Sequence, residues 1–74
     1  MTPDPQRDVM VYQVAMIDAL GGALLGDRWT VWAGTESEGS FDTEMEAVTV
    51  AAQLANDHGR PAWLVKDGGV ATRL

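Results

Sequence analysis

The segment Phe41–Pro61, FDTEMEAVTVAAQLANDHGRP, specifies a helix together with both of its ends. Thr43 and Glu46 have the spacing of a capping box, in which the hydroxyl accepts from the later amide and the carboxylate reaches back. Gly59 suits the left-handed conformation that follows a last helical turn, and Pro61 cannot continue a helix. The sequence therefore predicts one helix with defined ends, and the rest of the chain must be arranged around it.

One stripe of this helix is apolar and consists largely of small residues. Its members recur at spacings of three and four residues: Ala47, Val48, Ala51, Leu54, Ala55 and His58, with Val50 beside them. Because alanine side chains allow close approach to a flat partner, we predict that the helix packs on a sheet.

Four other segments are rich in β-branched and aromatic residues, which favour strands. They are Val9–Ile17, Arg28–Gly34, Ala62–Lys66 and Val70–Leu74. Residues 18–27 are predicted to be a connection, residues 35–40 a polar turn, and residues 67–69 a tight turn. A helix from Val9 through Leu20 is the alternative for the first segment, but Gly21 and Gly22 would break it.

The order ββαββ predicts an α+β fold: a four-stranded, mainly antiparallel sheet with one helix packed on one face. We expect the strands to lie in the spatial order second, first, third, fourth. With 74 residues, the chain is expected to hold one domain, residues 9–74, preceded by a disordered tail over residues 1–8 that contains two prolines.

Composition excludes several classes of protein. The absence of cysteine rules out disulfides and thiolate metal sites. A net charge of −6 argues against direct binding to nucleic acid, because such binding relies on clustered Lys and Arg. The segment MTPDPQRD lacks the basic leader and apolar core of a signal peptide, and Val9–Leu25 is short and interrupted for a membrane span. We therefore expect a soluble cytoplasmic protein.

A single helix covers one face of a sheet, so the other face is expected to be an interface. The first strand is apolar on both of its faces, and a large exposed apolar face marks an interaction site. The candidate interface residues are Tyr12, Trp29, Trp32, Trp63 and Leu64. They predict a homodimer packed through the open sheet face, with pairing of edge strands as the alternative.

An acidic run without any basic residue precedes and begins the helix: Glu36, Glu38, Asp42, Glu44 and Glu46. Carboxylates are favourable at a helix N-terminus, so a solvated loop and helix start explain most of them. As an alternative function, this acidic edge suggests an inhibitor or antitoxin-like protein that binds a basic protein partner.

The sequence offers no catalytic motif, and we expect neither catalytic residues nor a cofactor or metal site. Asp57 and His58 are adjacent in a helix and point about 100° apart, so they do not form an acid–base pair. The glycine-rich stretch at residues 21–26 lacks the Lys and Ser/Thr of a phosphate loop. The prediction is a non-enzymatic interaction module; a ligand pocket around His58 and the tryptophans is a third hypothesis.

The helix and the last turn resemble the bacterial domain of unknown function 2188 family. The matching residues are Phe41, Asp42, Thr43, Glu46, Ala47, Ala51, Ala55, Gly59, Asp67 and Gly68, together with Trp29 in the second strand. The resemblance implies a small ββαββ protein and brings no catalytic residue. The long connection at residues 18–27 departs from the tight first turn of that family.

A weaker similarity is to HicB-type antitoxins, which bind a small toxin. It rests on five residues: Gly39, Phe41, Thr43, Glu46 and Ala47. The glycine-cysteine motif usual in the second strand of those proteins is absent. This similarity implies a basic protein as partner.

Overall fold

A computed structural model of the chain describes residues 2–17, 20–22, 24–66 and 69–74. Its elements are β1 (Val9–Ile17), β2 (Leu24–Ala33), β3 (Glu36–Phe41), α1 (Glu44–His58), β4 (Ala62–Val65) and β5 (Ala71–Arg73). The strands form one sheet in the order β3-β2-β1-β4-β5, and α1 packs on one face of it. The predicted α+β class is confirmed.

The prediction of four strands is wrong by one. Residues 35–40, expected to be a polar turn, contain most of β3, which pairs antiparallel with β2. This strand, ESEGSF, lies at the edge of the sheet, where polar residues are tolerated and charges discourage further pairing. Apolar alternation therefore could not reveal it. The strand β2 also begins earlier than expected, inside the predicted connection.

The predicted order of the other four strands is confirmed, since β2, β1, β4 and β5 are neighbours in that sequence. The sheet is mixed rather than purely antiparallel, because β1 and β4 run parallel. The predicted turn at residues 67–69 includes Asp67 and Gly68, which lie outside the described residues.

Both predicted ends of α1 are present. The Thr43 hydroxyl accepts a hydrogen bond from the Glu46 amide at 3.3 Å. Gly59 adopts the left-handed conformation with φ of 65°, and its amide donates to the carbonyl of Ala55. Between these caps, Ala47 and Ala51 are fully buried against the sheet, which explains why small residues occupy the stripe.

The strands alternate between two environments. The face toward α1 carries the buried core residues Val9, Val11, Val31, Ala62 and Leu64. The opposite face, which we call the open face, carries Met10, Tyr12, Val14, Thr30, Trp32, Trp63 and Val65. On it, Trp32, Met10 and Trp63 are register partners on three successive strands, so they form one row across the sheet.

The segment Asp4–Asp8, which we call the strap, closes one end of the open face. The Asp8 amide donates to the Asp4 carbonyl at 2.7 Å, and the Asp8 carbonyl accepts from the Gly34 amide at 3.1 Å. Asp8 is only 2% exposed. The prediction of a disordered tail over residues 1–8 therefore does not hold for Asp8, which the buried contacts of its side chain make part of the folded domain.

Beyond the other end of the sheet, β1 and β2 continue as a two-stranded ribbon. Strand β4 pairs with β1 only as far as Tyr12, and β3 pairs with β2 only from Trp29. We call the remaining ladder, residues 14–17 paired with residues 24–28, the arm. The molecule is accordingly elongated, with extents of 43 × 21 × 20 Å.

The contact between the strap and Gly34 yields a test with a matched control. Gly34 has φ of +62°, and a Cβ there would lie 2.9 Å from the Gln6 carbonyl oxygen, whereas Gly59 has φ of +65° and open space around it. Both Gly→Ala changes carry the left-handed backbone cost of about 1–2 kcal/mol, but only Gly34→Ala also displaces the strap. We expect Gly34→Ala to lower the free energy of unfolding in urea by at least about 1 kcal/mol more than Gly59→Ala. Equal losses would show that the strap does not pack on Gly34.

Candidate functional site

The open face is an apolar sheet surface that no helix or strand of the described chain covers. Val14 is 43% exposed, and Tyr12 and Trp32 are partly exposed around it. Beside them on the same face, Met10 is 2% and Trp63 5% exposed. The surface thus combines accessible aromatic and aliphatic side chains with buried neighbours on the same face.

Trp63 is a buried residue of the open face that contacts within its own chain hold in place. Its indole Nε1 donates to the Asp8 carboxylate at 3.0 Å. The Arg73 guanidinium lies over its ring, 5.8 Å from the ring centroid, within the range of a cation–π contact. The predicted interface residue Trp63 is therefore on the expected face but is held in place by its own chain.

Two of the predicted interface residues lie on the wrong side of the sheet. Leu64 is 7% exposed within the core under α1, and Trp29 packs against that core. The reason is strand alternation: Trp29 and Trp32 are three residues apart and Trp63 and Leu64 are adjacent, so each pair divides between the two faces. Of the predicted set, Tyr12 and Trp32 remain as accessible residues of the open face.

Trp29 has a further property that the sequence did not indicate. Its indole Nε1 is buried and has no hydrogen-bond partner among the described residues. Burying a donor in this way costs free energy, so such groups are uncommon in folded proteins. The position of Trp29 on the core side is the result of packing rather than of hydrogen bonding.

The buried carboxylate of Asp8 organises the strap end of the open face. Its Oδ1 accepts from Arg60 Nη2 at 2.7 Å and Nε at 3.1 Å, and its Oδ2 accepts from Trp63 Nε1 and from the Asp4 amide at 2.9 Å. Burial by itself raises the pKa of Asp8. The hydrogen bonds from the Asp4 amide, Arg60 and Trp63, together with the charge of Arg60, outweigh it and hold the pKa below its ordinary 3.8.

Sequence reasoning missed this cluster. Asp8 and Arg60 are 52 residues apart, and both lie just outside elements whose apolar pattern carries the signal. An acidic residue before a strand and a basic residue after a helix give no indication in the sequence that they form an ion pair. Only the parallel pairing of β1 with β4 brings the starts of the two strands together.

The predicted acidic edge separates into two groups. Asp42 lies 3.3 Å from Arg28, and Glu44 lies 3.6 Å from Lys66, so these two carboxylates form ion pairs at the surface. The other three, Glu36, Glu38 and Glu46, are exposed, and no salt bridge involves them in the described part of the chain. Glu36 and Glu38 lie on the edge strand β3, where they face solvent.

The third hypothesis is a pocket around His58 and the tryptophans, and the groove that the described residues form does not have that lining. A groove of about 300 Å³ runs between α1 and β5, and neither His58 nor any tryptophan lines it. Its lining is mainly apolar: Ala52, Ala55, Asn56, Arg60, Pro61, Ala62, Arg73 and Leu74. Over residues 2–17, 20–22, 24–66 and 69–74, no three His, Cys, Asp or Glu side chains are grouped to hold a metal ion.

Among the helical residues that are described, none belongs to a helix long and apolar enough to cross a bilayer. In comparisons with known proteins, no family model, no curated protein and no solved structure matches this chain.

The Asp8 cluster makes stability depend on acid in a specific way. Because the folded pKa of Asp8 is lowered, its contribution is fully present well above pH 3.8 and is lost as the pH falls through the folded pKa. We expect Asp8→Asn to lower the free energy of unfolding by about 2 kcal/mol at pH 7, since it removes one partner of a buried ion pair.

The control is Asp57→Asn on the exposed surface of α1, which should change stability little at either pH. Urea unfolding at pH 7 and at pH 3 measures both variants. The difference between the wild type and Asp8→Asn should shrink at the lower pH. A difference that is the same at both values would mean that the Asp8 charge does not stabilise the fold.

Proposed function

We propose that this protein is a small, non-enzymatic interaction module that forms a homodimer through its open face. The observation that carries the proposal is that Tyr12, Val14 and Trp32 are accessible on a sheet face that no helix of the described chain covers, beside the buried side chains of Met10 and Trp63. Aromatic residues in well-packed surroundings often contribute most of the binding free energy of a protein interface.

The distribution of charge favours a second copy as the partner. On the described strands, the charged residues on the open-face side are Arg28 and Arg73, at the margins, while the exposed acids Glu36, Glu38 and Glu46 lie on the β3 edge and the helix start. Asp8, on the same side, is buried and paired with Arg60. Two exposed carboxylates, Asp4 in the strap and Asp42 beside Arg28, border this face, and each lies within 4 Å of an arginine. Two copies that each carry −6 can therefore meet through Tyr12, Val14 and Trp32 without placing unpaired carboxylates at the centre of the contact.

The size of the face is also sufficient. The broad side of the molecule measures 43 × 21 Å, which offers roughly 900 Å² in projection. A stable interface buries about 800 Å² on each partner. A contact that uses most of this side thus reaches the usual size, and a chain of 74 residues gains buried surface that its own core cannot supply.

The resemblance to the domain of unknown function 2188 family remains a prediction, as do a bacterial origin and a cytoplasmic location. That resemblance supports an α+β module whose distinctive residues serve the fold and brings no catalytic group. It is consistent with a protein that acts by binding.

A matched pair of variants tests the dimer. Val14→Glu places a carboxylate on the open face, and Ala52→Glu makes the same change at an exposed position of α1. By size-exclusion chromatography with light scattering, we expect the wild type and Ala52→Glu to have twice the chain mass of 7.9 kDa. Val14→Glu should weaken the dimer at least tenfold because two carboxylates are then desolvated in the contact. A wild type that is monomeric at micromolar concentration, with far-UV circular dichroism of a folded protein, would refute the proposal.

The alternative proposal is an acidic inhibitor or antitoxin-like protein that binds a basic protein. It is favoured by the two exposed carboxylates of Glu36 and Glu38 on an edge strand. Replacing Glu36, Glu38 and Glu44 together by lysine should abolish recovery of a basic partner in a pull-down from cell extract, because the attractive charge is reversed. The matched control is lysine at Asp57, away from β3. Retention of the partner by the triple variant would reject this alternative.

A further inference from the structure

The sheet extends past α1 at β5. Helix α1 packs on β1 to β4, and β5 lies at the edge of the sheet, paired with β4 alone among the described strands. Val70 and Leu74, which flank β5 at its two ends, are 71% and 44% exposed. The helix side of this edge therefore lacks the apolar layer that α1 provides over β1 and β4.

The missing layer corresponds to the groove of about 300 Å³ between α1 and β5. Ala52 and Ala55 line it from the helix, and Ala62 and Leu74 line it from the sheet. Because these side chains are small or apolar, the groove suits the apolar side chains of a partner. It is open along β5, so a partner that fills it would also lie beside the outer edge of that strand.

The two sides of β5 differ in chemistry, because neighbouring residues of a strand point to opposite faces. Arg73 is the register partner of Trp63 and has its guanidinium over that ring, on the open-face side. Thr72 is the register partner of Leu64, a core residue under α1, so it lies on the helix side together with the groove. One side of this edge is thus basic and the other is apolar.

The charged lining of the groove is basic in a chain of net charge −6. Arg60 and Arg73 both line the groove, and no acidic residue is among the described residues that do. Arg60 is paired with Asp8, so the exposed Arg73 is the residue that a partner's carboxylate would contact. The charge of this edge is therefore complementary to an acidic partner.

We propose that the β5 edge binds an extended peptide segment of another protein in which apolar and acidic residues alternate. The segment adds a strand to β5, its apolar side chains fill the groove beside Ala52 and Leu74, and its carboxylates pair with Arg73. In this mode of recognition, main-chain hydrogen bonds give affinity and alternate side chains give specificity. The site does not include Tyr12 or Val14, so the inference goes beyond the proposed dimer and does not depend on it.

Three synthetic peptides test the proposal. The acidic probe is a capped heptapeptide of alternating valine and glutamate, and its control has lysine in place of glutamate. In ¹⁵N–¹H spectra, the acidic probe should shift the amide signals of residues 70–74 and those of Ala52 and Ala55. The lysine probe should bind at least tenfold more weakly because it meets like charge. An acidic probe with alternate amides methylated should also bind at least tenfold more weakly, because it cannot pair with β5.

Variants separate this site from the dimer. Ala52→Glu places a carboxylate in the groove and should weaken binding of the acidic probe at least tenfold without changing the mass of the protein. Arg73→Glu should reverse the preference, in favour of the lysine probe. Val14→Glu, on the open face, should leave binding of the acidic probe unchanged even where it weakens the dimer. Equal binding of the acidic and lysine probes, binding that methylation does not weaken, or no shift at residues 70–74 at millimolar peptide would overturn the inference.

Discussion

A single helix packs against a sheet of five strands and can cover only part of one of its faces. The rest of the structure depends on this constraint. Five strands spaced about 4.8 Å apart span about 19 Å, whereas a helix with its side chains is about 10 Å wide. The helix α1 packs on β1 to β4 and leaves β5 aside, which creates the groove along that edge. The opposite face has no layer from the described chain, although β1 is apolar on both sides. An apolar sheet face in this condition needs either a partner or protection by its own chain.

The strap supplies that protection at one end only. Asp8 accepts hydrogen bonds from Arg60, Trp63 and the Asp4 amide, and this ties the start of β1 to the start of β4. A buried ion pair contributes little net stability compared with a well-packed apolar substitute, but it tolerates only one geometry of its partners. In this protein the cluster holds Trp63 in place and fixes the strap at the start of β1. The accessible part of the open face is therefore the middle of the sheet and the arm.

Much of this fold could be predicted from local pattern. The N-cap at Thr43, the glycine after His58 and the strand β1 are set by neighbours in sequence, and the structure has them as expected. The strand β3 escaped prediction because an edge strand that faces solvent has no apolar alternation to detect. Trp29 and Leu64 lie on the core side of the sheet and not on the predicted interface. The alternation of residues along β2 and β4 contained the information that separates them. The Asp8–Arg60 pair depends on contacts across 52 residues and has no local signal.

The indole groups of the three tryptophans allow the central claim to be measured in one experiment. Trp29 lies under α1, Trp63 is held by Asp8 and Arg73, and Trp32 is the accessible tryptophan of the open face. In ¹⁵N–¹H spectra recorded from micromolar to millimolar concentration, the Nε1–H signal of Trp32 should shift most as the face becomes covered, and that of Trp29 should stay nearly constant. Three indole signals that do not change with concentration in a protein of monomeric mass, or a shift confined to Trp29, would contradict the account.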